Sequence, residues 1–148
     1  QLLKQLQITN SMSIIIISHD LSVVAGIADS VAVMYGGRVV EYGNVNKVFE
    51  KPAHPYTKAL LDTIPHIERK NSRFLKPIPG NVPIIDKEYS HCVFANRCKH
   101  TMEICTVENP SFYGSKTHHS ACHLHHQGAL KNWKKFASYP CFNTKHKY

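Results

Sequence analysis

The strongest constraint on the fold is a run of four isoleucines at residues 14–17, followed by a serine, His19 and Asp20. β-Branched residues favour strands, and an apolar run without polar alternation is typical of a strand buried on both faces. We therefore predict a strand over 14–18 and a helix after it, capped by Asp20 or Ser22. This order predicts an α/β fold, in which residues just beyond a strand end face the ligand crevice. His19 occupies such a position.

The rest of the first half alternates between short helices and strands. Gly36 and Gly37 are adjacent, and they supply the positive φ angles of a tight hairpin turn. The hydrophobic spacing predicts, in chain order, a helix over the first residues, strands at 31–34 and 38–42, and a helix containing Val48 that stops at Pro52. A turn at 54–57 and a helix through Leu60, Leu61 and Ile64 that ends at Pro65 follow. Residues 65–91 hold several prolines and charges, which predicts an extended linker.

Four of the five cysteines follow the pattern C-x5-C-x6-C-x16-C; they are Cys92, Cys98, Cys105 and Cys122. With no secretory signal in the chain, reduced thiols or metal ligands are favoured over disulfides. Thiolates suit zinc or an iron–sulfur cluster. Short C-x2-C knuckles, typical of zinc, are missing, so the spacing mildly favours the larger cofactor. Packed, reduced cysteines without a metal are the third alternative.

The net charge of +8 and the hydropathy limit the classes of function. No acidic residue follows Glu108, so residues 127–148 form a basic tail that we predict to be solvated and partly disordered. Charge alone is the argument for nucleic-acid binding, and no groove-reading motif accompanies it, so no nucleic-acid partner is expected. No stretch has the length of a membrane helix. The chain begins with Gln1 inside a helical pattern, which predicts a natural start upstream.

Residues 14–43, IIIISHDLSVVAGIADSVAVMYGGRVVEYG, resemble the switch-histidine segment of ATP-binding-cassette (ABC) ATPases. Residues 52–61, PAHPYTKALL, and then 78–80, IPG, follow in the order found after the ATPase domain in oligopeptide, dipeptide and nickel importers. The resemblance covers roughly residues 1–125. It implies the C-terminal part of a P-loop ABC ATPase domain over 1–50, then a small, loop-rich, cysteine-containing extension over 51–126, before the tail at 127–148.

The resemblance also implies roles for single residues. His19 would be the switch histidine, which reaches the terminal phosphate of ATP and helps to place the attacking water; its position alone equally fits a cap or a packed side chain. Cys92, Cys98, Cys105 and Cys122 would carry a four-iron, four-sulfur (4Fe–4S) cluster, which the resemblance favours over zinc. Cys141 lies in the unmatched tail, so we leave it out of the site.

The function implied is that of an ATP-hydrolysing subunit of a peptide importer, using ATP with Mg²⁺. Such a subunit works with membrane-spanning permease subunits and a second ATP-binding subunit, as a peripheral protein on the cytoplasmic face of the cell membrane. This chain has no G-x4-G-K-[ST] loop, no Leu-Ser-Gly-Gly-Gln signature and no acidic strand end for Mg²⁺, so we expect it to be inactive alone. The alternative is a small metal-binding or redox module without a role in transport.

Overall fold

A computed structural model describes residues 2–64, 78–81 and 90–126. Its helices and strands are, in chain order, α1 (Leu2–Asn10), α2 (Leu21–Ile27), β1 (Ser30–Tyr35), β2 (Arg38–Asn44), α3 (Val45–Glu50), α4 (Pro55–Leu61), α5 (Ile104–Val107), β3 (Phe112–Ser115) and β4 (His118–Ala121), with short 3₁₀ turns at Ala95–Arg97 and His123–His125. Most of the predicted linker and the predicted tail at 127–148 lie outside the described residues. The mixture of helices and a sheet agrees with the predicted α/β class.

The sheet is antiparallel throughout, with strand order β1-β2-β4-β3. The predicted hairpin is confirmed, since β1 and β2 are joined by Gly36 and Gly37 at φ 56° and 73°. The pairing of β1 with β2 shifts after Val33, so that Val40 forms a bulge. Because of this bulge, Val40 and Glu41 are both buried although they are consecutive.

The predicted strand over 14–18 is wrong, because these residues form neither a helix nor a strand. A strand needs a neighbour for its backbone hydrogen bonds, and the four-stranded sheet of the described residues is built entirely from other segments. Ile15 and Ile17 are 91% and 98% exposed. The helix that follows is confirmed, and of the two candidate caps Asp20 is the one observed: its Oδ1 accepts the backbone N–H groups of Ser22 at 2.8 Å and of Val23 at 3.3 Å.

The hydrophobic core lies between the hairpin, α3 and the loop that carries the first cysteines. Its most buried members are Val40, Val48, Phe94 and Ala95, each at most 3% exposed. Helices α1 and α2 contribute no buried residue. No helix within the described ranges is long and apolar enough to cross a bilayer.

Candidate four-cysteine site

The four predicted cysteines converge in the described part of the chain. All are free thiols; Cys92, Cys105 and Cys122 are buried, and Cys98 is partly buried. A negative charge on the thiolate of Cys122 would be repelled by a negative charge on the thiolate of each of the other three cysteines. The backbone N–H of Cys92 donates to the carbonyl of Cys105 at 3.0 Å, which ties two of the cysteine-bearing segments together. Residues from distant parts of the sequence are thus brought to one place.

Tight turns hold the thiols in position. The N–H of Ala95 donates to the Cys92 carbonyl at 3.0 Å, and the 3₁₀ turn Ala95–Arg97 then leads to Cys98. The hydroxyl of Thr101 donates to the carbonyls of both Cys98 and Ala95. The loop therefore has a defined shape although it contains little regular secondary structure.

Backbone N–H groups also point at the sulfur atoms. The N–H of His100 donates to Sγ of Cys98 at 3.4 Å. The N–H groups of Phe94 and Leu124 interact in the same way with Cys92 and Cys122. In all three cases the donor lies two residues beyond the cysteine. Such donors favour the charged thiolate, which is the form that binds metals.

Burial acts in the opposite direction. Loss of solvation raises the pKa of Cys92 to about 11 and that of Cys122 to about 12, and it also raises the pKa of Cys98 and of Cys105. Without a nearby positive charge, the thiols would stay protonated at neutral pH. A bound cation would reverse this preference and release the protons.

In the described residues, no group of three or more His, Cys, Asp or Glu side chains is arranged to hold a single metal ion. The geometry of these residues therefore gives no support to a metal site. In a 4Fe–4S cluster each thiolate would bind a different iron. The donor set, four soft thiolates, fits such a group chemically. The iron–sulfur site remains a prediction.

His19 lies on the surface between residues 12–18, which have no regular secondary structure, and α2. It does not cap the helix, because Asp20 does. The Asp20 N–H donates to Ser18 Oγ at 2.9 Å, which fixes the turn around the histidine. Its role as a switch histidine stays a prediction.

The structure also contains a buried polar junction that the sequence analysis missed. Glu41 is fully buried in β2. Its Oε1 accepts the N–H of Ala53 at 2.8 Å and pairs with His118 Nε2 at 2.7 Å, and its Oε2 accepts the N–H of His54 at 2.8 Å. One carboxylate thus joins the hairpin, the start of α4 and strand β4. The available signal was an acidic residue between Val40 and Tyr42 in a predicted strand.

The same junction gives the His54-Pro55-Tyr56 motif a physical role. Nδ1 of His54 accepts the Tyr56 N–H at 3.0 Å and so caps α4, while Pro55 fills the first helical position. The ring is 1% exposed, and burial lowers the pKa of His54 to about 4. The histidine is therefore neutral at physiological pH. A neutral ring is required here, because a protonated Nδ1 cannot accept a hydrogen bond.

Comparison with known families finds one match within the chain. Residues 40–105 match the family described as oligopeptide/dipeptide transporter, C-terminal region. The matched region begins in β2, contains the His54 motif and ends at Cys105. This match over residues 40–105 confirms the resemblance seen in the sequence.

Individual relatives extend the match on both sides. The chain is 41% identical to the dipeptide transport ATP-binding protein DppD of Caldanaerobacter subterraneus subsp. tengcongensis, over 86% of this chain and 39% of that protein. It is 46% identical to the oligopeptide transport ATP-binding protein OppD of Escherichia coli (strain K12), over 74% of this chain and 32% of the relative. For OppD of Bacillus subtilis (strain 168) the values are 42%, 88% and 37%. The chain thus spans less than two fifths of the length of these relatives.

Proposed function

We propose that this chain is the C-terminal part of the ATP-binding subunit of an ABC importer for oligopeptides or dipeptides. The observation that carries the proposal is the match of residues 40–105, which extends from β2 past α4 into the cysteine loop. In the complete subunit, ATP with Mg²⁺ would be bound largely by the remaining two thirds of the protein. The partners would be permease subunits and a second ATP-binding subunit at the cytoplasmic face of the membrane.

Within that subunit we assign His19 as the switch histidine. Its exposure supports the assignment, because an imidazole on the surface can reach a phosphate held by another part of the protein. The turn made by Ser18 and Asp20 would restrict its direction. A histidine there acts by donating a hydrogen bond to the terminal phosphate and by positioning water, effects that matter mainly in the transition state.

The test uses the full-length subunit assembled with its partners. His19→Ala should lower the ATP hydrolysis rate by about 100-fold or more, as loss of a positioned catalytic donor does, and leave nucleotide affinity nearly unchanged. The control is His100→Ala, which removes another exposed histidine. A hydrolysis rate equal to that of the parent would reject the switch role and leave His19 a surface residue.

We further propose that Cys92, Cys98, Cys105 and Cys122 bind a 4Fe–4S cluster. Two observations support it: charges on the four thiols would interact with one another, and backbone N–H groups point at the sulfur atoms of three of them. When bound, the cluster would supply metal–thiolate bonds that cross-link separate segments. The chain provides the thiolates, the N–H groups that stabilise them and the turns that orient them.

The experiment is anaerobic reconstitution of the chain with iron and sulfide. About four irons and four sulfides per chain are expected, the stoichiometry of a cubane site. Each single Cys→Ser substitution at the four positions should lower the retained iron, because a serine oxygen is a harder ligand. Cys141→Ser is the matched control. Stoichiometric zinc binding without any cluster, or a requirement for Cys141 in place of Cys122, would overturn the assignment.

A small metal-binding or redox module without a transport role is the second candidate, and the convergence of the four thiols favours it. The two candidates differ in what they require of His19. The cluster could form while ATP hydrolysis by the assembled full-length protein does not respond to His19→Ala. That result would favour the metal-binding or redox module and reject the switch assignment.

A further inference from the structure

Arg97 joins three segments that are distant in sequence. It lies in the 3₁₀ turn between Cys92 and Cys98. Its Nη2 donates to the Ile78 carbonyl at 2.7 Å and its Nε to the Pro79 carbonyl at 2.8 Å. Its Nη1 donates to the Tyr35 hydroxyl at 3.1 Å. One guanidinium thus bonds at once to the end of the hairpin and to residues 78–81.

The Tyr35 end of this arrangement is rigid. Tyr35 is 5% exposed, and its ring packs against those of Tyr56 and Phe94, with centroids 4.6 and 5.1 Å apart. These three rings come from β1, α4 and the cysteine loop, so Tyr35 stands at the junction of all three. Arg97 holds the polar tip of this buried side chain.

Residues 78–81, on the other side of Arg97, fit closely against its side chain. Gly80 has φ of +82°, a conformation that other residues rarely adopt. A Cβ atom at this position would lie 3.4 Å from Cγ of Arg97. The backbone at Gly80 therefore lies directly against the arginine side chain while the two preceding carbonyls face its nitrogens. A planar, forked donor suits this geometry and an ammonium does not.

We propose that Arg97 is a clamp that fastens residues 78–81 to the junction of the hairpin, α4 and the cysteine loop. The position of residues 78–81 is then set by the loop between Cys92 and Cys98 together with the positive φ of Gly80. The clamp couples the start of the cysteine loop to the segment that precedes it. This coupling is a role beyond the proposed transport function.

Backbone ¹⁵N relaxation, measured by NMR in the 148-residue chain, tests the clamp. Arg97→Ala should lower the order parameters of the Gly80 and Asn81 amides below about 0.6, the range of a flexible backbone. The order parameters within the β1–β2 hairpin should stay near about 0.85, which separates local release from global unfolding. Lys99→Ala is the control, since it removes an exposed cation two residues away.

Arg97→Lys supplies the decisive second variant. It keeps the charge and the aliphatic stem, so it should fold even if Arg97→Ala does not. It cannot donate to both carbonyls and the Tyr35 hydroxyl with the same geometry, and we expect it to release Gly80 and Asn81 as well. Order parameters at these two amides as high in Arg97→Lys as in the parent would overturn the proposal.

Discussion

The region before β1 and the region that begins with it use apolar residues in opposite ways. In the first, α1 and α2 bury no residue, and Ile15 and Ile17 are almost completely exposed. In the second, Val48 and Phe94 are 1% and 2% exposed. The contrast shows that an apolar pattern marks a face suited to burial, while the burial itself depends on a packing partner.

The second region finds its partners within the described chain, and polar groups organise them. Its core brings together the hairpin, α3, α4 and the cysteine loop. Beside that core the Glu41 carboxylate collects three donors from two other segments. If this comparison holds, substitutions in the second region should lower the free energy of unfolding. Equivalent substitutions before β1 should leave it nearly unchanged.

Glu41→Ala is expected to have the largest effect on this region. It leaves two buried backbone N–H groups and His118 without their acceptor, which should lower the free energy of unfolding by about 3–5 kcal/mol. Urea titration followed by circular dichroism measures it. Glu50→Ala, an exposed glutamate in α3, is the control and should change stability by less than about 0.5 kcal/mol. Equal effects of the two substitutions would refute the organising role of Glu41.

Acid should weaken the same junction through His54. Its pKa is about 4 in the fold, against 6.5 for the free side chain, so the unfolded chain binds a proton more readily. The stability that depends on a neutral His54 is fully present above pH 6.5. The free energy of unfolding then falls by about 3 kcal/mol as the pH is lowered from 6.5 toward 4. Urea titrations between pH 8 and pH 4 measure it.

A matched variant isolates the histidine in that pH dependence. His54→Asn keeps an acceptor that can cap α4 but does not titrate. The difference in stability between pH 8 and pH 4 should therefore be clearly smaller in this variant. If the parent and His54→Asn lose the same free energy of unfolding on acidification, titration of His54 is not the cause.

The smallest expected effects on stability come from a pair of substitutions, one in each of the two regions. Val48→Ala removes two methyl groups from the core and should lower the free energy of unfolding by about 2 kcal/mol. Ile17→Ala removes more apolar atoms from a side chain that is 98% exposed, and should cost no more than about 0.5 kcal/mol. Thermal unfolding of both variants compares them. A loss from Ile17→Ala as large as that from Val48→Ala would mean that the first region is buried after all.

Local signals were sufficient where the structure is local. Gly36 and Gly37 predicted the hairpin, and Asp20 predicted the start of α2, because a turn or a cap depends on neighbouring residues. The strand over 14–18 failed for the opposite reason, since strand formation depends on a neighbour elsewhere in the chain. Strands β3 and β4 were missed because each has only four residues and β4 begins with two histidines.

The four-cysteine site and the Glu41 junction differ in the same way: the first has a local sequence signal and the second depends on distant residues. Cysteine spacing identified the four thiols that converge, since no other residue type there has their chemistry. The Glu41 junction could not be predicted, because its donors come from Ala53, His54 and His118, the last of them 77 residues away. A long-range contact of this kind has no local pattern.

The position of β2 has a consequence for the order in which the chain is synthesised. One edge of β2 pairs with β1 across a two-residue turn, whereas the other pairs with β4, where Glu41 lies opposite Ser120. On the ribosome, the hairpin can form long before β4 has emerged. Until then the nascent chain presents an open strand edge with an unneutralised carboxylate on it. An unpaired edge invites intermolecular pairing, and a charge on such an edge discourages it. Glu41 would thus protect the hairpin from aggregation before it becomes the buried centre of the finished junction.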